Sequence, residues 1–201
     1  MAQAHAPRRW TIADLEALPY DEWRRYEIID GELYVSTAPR REHQLACNGS
    51  AFVLTEWNSR TGLGEVLPGA GIVFTNHDGV VPDVLWISNE RLAVLLDDAG
   101  HLRGAPELIV EVLSPGAANE RRDREIKLGL YSAFGVEEYW LLDWRTQTVV
   151  IYRRASMETQ TGDPQQAALL QVAATLGRED TLTSPLLPGF AVRVARLFGR
   201  S

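Results

Sequence analysis

Cysteine is almost missing from this chain. Its 201 residues hold one, Cys47, so no intrachain disulfide can form and a cytoplasmic location is expected. A lone cysteine of this kind reads as a small core residue rather than a nucleophile. Long apolar runs are missing too, and none nears the ~20 residues a membrane-crossing helix needs. The opening MAQAHAPRRW has no apolar h-region, so no signal peptide is expected. A basic excess is also lacking: 20 Lys and Arg against 27 Asp and Glu leave a net charge of −7, which argues against strong nonspecific DNA binding. His5, His77 and His101 fall in expected loops without metal-ligand spacing, so zinc is not expected. No internal repeat or second-domain boundary is visible, which leaves a single domain over 1–201 with room for a sizeable core.

The stretch from Pro106 to Asp143 organises what is present. Leu108–Leu113 is short, apolar and β-branched, which predicts a buried strand. Ser114-Pro115-Gly116 stops it. A helix is expected over Ala118–Phe134 with Gly135 as its C-terminal cap. Tyr139–Leu142 predicts a second buried strand. This is a βαβ unit, so the two strands should be parallel neighbours in an α/β fold.

Around it, Thr11–Asp14 predicts a capping box for a short helix before Pro19. Asp30-Gly31 between Arg25–Ile29 and Glu32–Ser36 predicts an N-terminal hairpin. Arg41–Arg60 should be a long helix with an apolar face of Leu45, Phe52, Val53 and Trp57, broken by Thr61–Gly64. Strands follow near Glu65–Leu67 and Gly71–Phe74, with a turn at Asn76–Gly79, then a strand at Pro82–Ile87 and a helix capped by Ser88 or Asn89. Thr148–Tyr152 predicts an antiparallel edge strand. Ser156–Gln166 is expected to be an exposed loop, and Ala168–Ala174 and Phe190–Val194 are extra C-terminal strands.

Glu111 breaks an apolar strand, so its carboxylate must be paired, bound to a metal or placed at a cleft mouth. Asp123, Lys127 and Tyr131 stand four apart and form one row on the following helix, from which Lys127 can reach Glu111. Asp83 begins another strand. Asp83 and Glu111 on adjacent strands can hold a hard cation such as Mg²⁺, with a backbone carbonyl such as that of Val112 as a further ligand. Such an ion polarises a phosphoryl oxygen and acidifies bound water, and a lysine beside it stabilises the growing charge. The plainer alternative is a buried Glu111–Lys127 ion pair with Asp83 as a turn residue.

Glu27 alternates away from Tyr26 and Ile28, so it can approach as a third carboxylate or pair with an arginine. His43, in the first turn of its helix, can contact a phosphate or a metal-bound water, or serve the structure. Tyr131 can hydrogen-bond Glu111 or nucleic acid, or simply pack. Arginine pairs at 8–9, 24–25, 40–41, 121–122 and 153–154 are either phosphate contacts gathered on one surface or solvated charges.

Several segments carry a resemblance. They are Tyr26–Leu33, His43, Pro82-Asp83-Val84, Glu111–Pro115, Asp123, Lys127, Tyr131, Gly135–Trp140 and Leu187–Phe190. Together they resemble the PD-(D/E)xK nuclease superfamily and, within it, the Uma-type restriction endonuclease family. The resemblance implies an αβββαβ core, a mixed four-stranded sheet flanked by helices, and a metal-dependent endonuclease acting on DNA with Mg²⁺ or Mn²⁺. It assigns Asp83 and Glu111 as metal ligands. The superfamily's usual lysine position, two after the acid, is Leu113 here, so Lys127 takes that role. A homodimer is expected because two symmetric sites cut two strands, with the apolar edge Val149–Tyr152 and the six tryptophans as interface material. The rival readings are a silent nuclease-fold binding module and a metal phosphohydrolase of small substrates.

Overall fold

A computed structural model describes residues 9–19, 21–154 and 169–199. The chain enters through helix α1 (Ile12–Glu16), where the Thr11 side chain accepts the Asp14 N–H and the Asp14 carboxylate accepts the Thr11 N–H. This is the expected capping box. Asp30 and Gly31 both take positive φ (50° and 76°), the backbone of a tight hairpin turn. They join β1 (Arg24–Ile29) to β2 (Glu32–Thr37).

Helix α2 (Arg41–Thr61) ends where Gly62 turns left-handed at φ 63°. Its buried face is His43, Ala46, Cys47, Ser50, Val53, Leu54 and Trp57. Phe52, expected inside, is 60% exposed beneath the Arg196 guanidinium, and Leu45 is only half-buried. The inward face is built largely from small and polar side chains, so an apolar pattern finds only part of it.

β3 (Gly64–Pro68), β4 (Ile72–Thr75), β5 (Asp78–Val80) and β6 (Val84–Ser88) follow. The expected turn over 76–79 is shorter, because residues 78–80 form β5. Its pairing of Gly79 with Ile28 is long-range and leaves no periodic signal in three residues. Ser88 caps α3 (Asn89–Leu95). β7 (Leu108–Val112) then leads into a continuous helix made of α4 (Ala117–Arg121), a wide turn at Arg122–Ile126 and α5 (Lys127–Phe134). Gly135 caps it at φ 90°. β8 (Glu138–Asp143), β9 (Thr148–Arg154), β10 (Leu170–Leu176) and the small pair β11 (Thr181–Thr183) and β12 (Ala191–Arg193) complete the strands.

The large sheet runs β10-β9-β8-β7-β6-β3, and the hairpin sheet runs β2-β1-β5-β4. β7 and β8 are the parallel pair, with Glu111 opposite Leu141. α2, β3, β6, β7, α5 and β8 therefore give the expected αβββαβ core. Strand alternation sorts the two faces. Val84, Trp86, Val110, Val112, Trp140 and Leu142 pack with α2, whereas Leu85, Ile87, Ile109, Tyr139 and Leu141 pack with Leu130 and Tyr131 of α5. Each such apolar side chain contributes about 1.5–3 kcal/mol on burial. Glu111 shares the parity of Ile109 and Leu113, so the pleat aims it at α5.

β9 is not an edge. β10 pairs along it from Leu170↔Arg154 to Leu176↔Val149, and Val149 and Ile151 are buried. That strand is not free to serve a dimer interface. The segment Ser156–Gln166 lies outside the described residues.

Candidate active site

The site residues are delivered by β1, α2, the link before β6, β7 and the helix that ends in α5. Asp83 ends the short link before β6, and the backbone before it is tied to β1. The Val81 N–H donates to Glu27 Oε1 (2.9 Å), and Arg25 Nη1 donates to the Val81 carbonyl (3.1 Å) and to Asp83 Oδ1 (3.2 Å). Asp83 Oδ2 accepts the Val112 N–H at 2.9 Å and lies 3.3 Å from His43 Nε2. Burial alone would raise the Asp83 pKa. The hydrogen bond and charge of His43, with Arg25 and the Val112 N–H, outweigh it and hold the carboxyl well below its usual range. The same pairing raises His43 above its ordinary value against the opposing effect of burial. Val112, expected to offer its carbonyl, thus engages Asp83 through its N–H.

Glu111 is buried on β7. Its Oε1 accepts both the Lys127 ammonium (2.7 Å) and the Tyr131 hydroxyl (2.7 Å), whereas its Oε2 accepts no hydrogen bond. Burial pushes the Glu111 pKa up to about 7. The Lys127 charge opposes this, and the carboxylates Asp83, Asp123 and Glu27 add to it. Lys127 is 2% exposed and also lies 2.9 Å from Glu27 Oε1. Burial would lower its pKa, yet Glu111, Glu27 and Asp123 outweigh that and raise it, so it is an ammonium at neutral pH. Burial and Glu111 raise Tyr131 well above its ordinary value, and it stays a donor.

The wide turn before α5 sets this spacing. The Lys127 N–H reaches back five residues to the Arg122 carbonyl, a π-type bond. Asp123 does not touch Glu111. It pairs with Arg122 Nε at 3.0 Å, and its carbonyl accepts the Tyr139 hydroxyl at 3.0 Å. Arg122 Nη1 also donates to Ser36 Oγ at 2.7 Å and so ties this turn to the hairpin. Glu27 is buried although Ile28 beside it is too, because the hairpin sheet folds over the site and leaves neither side of β1 open there. Leu113, two residues after Glu111, is a buried apolar residue.

Sequence reasoning missed Arg25 and Arg122 as members of this cluster. Arg25 shares strand parity with Glu27, a signal that was present. Composition held another: Lys127 is the chain's only lysine, and the other 19 basic residues (20 minus 1) are arginines. Four carboxylates, Glu27, Asp83, Glu111 and Asp123, are thus set against Arg25, Arg122, Lys127 and His43. All of them but Asp123 line a cavity of about 730 Å³ walled by the hairpin and the first turn of α2. The donor set fits a hard divalent cation. Its oxygens are carboxylates, and Glu111, which lines the cavity, has an Oε2 that accepts no hydrogen bond from the described residues.

Residues 12–195 match the model of the Uma2 family, described as "Putative restriction endonuclease". The chain belongs to the Uma2 family. The fold is also similar to a solved structure titled as a "putative nuclease belonging to DUF820 from Anabaena variabilis ATCC 29413". Identity is 18%, the TM-score is 0.69, and the match covers 94% of this chain and 97% of that one. No curated protein matches. Within this Uma2 chain, several of the segments that carried the family resemblance converge on one place: Tyr26–Leu33, Pro82-Asp83-Val84 and Glu111–Pro115 supply carboxylates, and Lys127 supplies the ammonium.

Proposed function

We propose that this protein is a metal-dependent endonuclease that hydrolyses phosphodiester bonds in DNA, using Mg²⁺ or Mn²⁺. The observation that carries the reading is the convergence of Asp83, Glu111 and the Lys127 ammonium on one cavity, where Glu111 Oε2 accepts no hydrogen bond from the described residues. Membership of the Uma2 family supports a nuclease. Asp83 and Glu111 would hold the ion, with Glu27 and the Val112 backbone beside them. When bound, the ion supplies Lewis acidity toward a phosphoryl oxygen and an activated water.

The chain's own residues do the rest. Lys127 cannot take a proton from water at neutral pH. It opposes the burial that favours a proton on Glu111 and places positive charge where negative charge grows on the phosphoryl group. Tyr131 fixes Glu111 Oε1, so the free oxygen faces the cavity side of the carboxylate. Arg25 and Arg122 add cations along the wall, and His43 with the Val112 N–H orients Asp83. The net charge of −7 makes local arginines, not an overall basic field, responsible for attracting DNA. The proposal includes a homodimer, which presents two symmetric sites to two strands, and a cytoplasmic setting.

One observation favours a second reading, a silent binding module: both Asp83 oxygens are already taken by protein donors. Plasmid and single-stranded DNA, incubated at low salt with Mn²⁺, Mg²⁺ or chelator, separate the two. Metal-dependent cutting by the wild type that is lost in a folded Glu111→Gln variant supports the endonuclease. Cutting that persists in that variant refutes the site. DNA retention without cutting by the wild type establishes the binding module.

A further inference from the structure

His43 and Cys47 stand one turn apart on α2, four residues from each other, so their side chains leave the same face of the helix. Both point inward. His43 Nδ1 lies 3.4 Å from Cys47 Sγ, and its Nε2 lies 3.3 Å from Asp83 Oδ2. One ligand atom from each of the three lies within 4.8 Å of the other two, and all three residues are buried. Ligands around a tetrahedral zinc ion, with bonds of about 2.0–2.3 Å, are separated by roughly 3.3–3.7 Å. The His43–Asp83 separation has that value through Nε2, whereas Cys47 faces Nδ1 at the other end of the ring, so the His43 and Cys47 side chains must turn for one imidazole nitrogen, the sulfur and the carboxylate to share an ion. His43 and Asp83 also line the active-site cavity, which gives an ion a route in.

We propose that His43, Cys47 and Asp83 form a second metal site, selective for a thiophilic divalent cation of the Zn²⁺ type, with Asp83 shared between it and the site that serves hydrolysis. The donor sets divide the metals. One imidazole nitrogen, one sulfur and one carboxylate oxygen suit zinc, with a fourth position left for water, whereas the all-oxygen set of Asp83 and Glu111 suits Mg²⁺ or Mn²⁺. On binding, the Cys47 thiol loses its proton to solvent and the sulfur becomes a thiolate ligand. The Asp83 carboxylate exchanges its His43 contact for the ion. Zinc binding therefore withdraws Asp83 from the neighbouring set and acts as an off-switch. Existence of the zinc site does not depend on the nuclease reading; only its consequence does.

The chain has a single cysteine, so a thiolate–metal signal has one possible source. Wild-type protein, free of other metals, is titrated with Co²⁺ as a spectroscopic stand-in for Zn²⁺, then with Zn²⁺ as competitor. One equivalent should give a sulfur-to-cobalt charge-transfer band that Zn²⁺ bleaches. Cys47→Ser and Cys47→Ala should lack the band, and His43→Gln should bind at least ~10-fold more weakly, given that even outer-sphere partners are worth that much. Thermal melts of the variants verify folding, and Cys47→Ser serves if Cys47→Ala does not fold. Zn²⁺ should also weaken Mn²⁺ binding to the wild type. Absence of the band in the wild type, or Zn²⁺ affinity unchanged in Cys47→Ser and His43→Gln, overturns the proposal. A correct band in a protein that cuts no DNA leaves the zinc site standing and removes only the nuclease reading.

Discussion

Replacing Lys127 with methionine keeps most of the side chain's volume and deletes only its charge. The ammonium touches Glu111 Oε1 at 2.7 Å and Glu27 Oε1 at 2.9 Å, with all three side chains buried. Deletion leaves two buried carboxylates without their cation. Breaking a buried pair by removing one partner costs about 3–5 kcal/mol. That is a large part of the ~5–15 kcal/mol a domain has, and at ~2–4 °C per kcal/mol it lowers Tm by roughly 6–20 °C.

The cost carries a pH signature. The Glu111 pKa already lies above its ordinary value of 4.5, at about 7. Without Lys127 beside it the pKa rises further. A carboxyl whose folded pKa exceeds its unfolded one binds more protons in the folded state, so stability falls as pH rises between the two values. The gap between wild type and Lys127→Met should therefore widen from pH 6 to pH 8. Adding Glu111→Gln to the variant should recover part of the loss, because one orphaned charge is gone. Urea titrations at pH 6, 7 and 8 measure this directly. A loss below about 1 kcal/mol at pH 8, or a gap that narrows as pH rises, refutes the charge-compensation argument.

Four further outcomes follow from the same geometry. Nζ-¹⁵N labelling of lysine gives one side-chain resonance, which should remain that of an ammonium beyond the ordinary lysine value of 10.5; titration below it contradicts the buried triad. Tyr131→Phe removes a donor to a charged oxygen and should cost about 1.5–3 kcal/mol in chemical denaturation, without changing the fold. Mn²⁺ affinity should strengthen from pH 6 to pH 8 as the proton on Glu111 stops competing, then level off, and calorimetry on Glu111→Gln should show that dependence flattened. Gly49→Ala places a Cβ 2.2 Å from the Leu197 carbonyl, so α2 must move away from the turn at Val194–Leu197, and denaturation should show a loss of about 1–3 kcal/mol.

Local chemistry made much of this protein legible before any coordinates. The capping box at Thr11–Asp14, the Asp30-Gly31 hairpin, the left-handed stops at Gly62 and Gly135 and the parallel β7/β8 pair all follow from short-range rules acting within a few residues. So did the row that brings Lys127 and Tyr131 to Glu111, since helical spacing and strand parity are local quantities. The family resemblance was legible for the same reason: its motifs are short and lie on those elements.

Tertiary structure alone decided what depends on partners distant in the chain. It covered β9 with β10, made a strand of residues 78–80 by pairing Gly79 with Ile28, and left Phe52 outside while Ser50 went in. It also chose which arginines became part of the site, folding Arg25 onto Asp83 across 58 residues and Arg122 onto Ser36 across 86. Sequence spacing determines which side chains share a face. Which faces meet, and hence how four buried carboxylates find their cations, is set by the packing of two sheets and two helices.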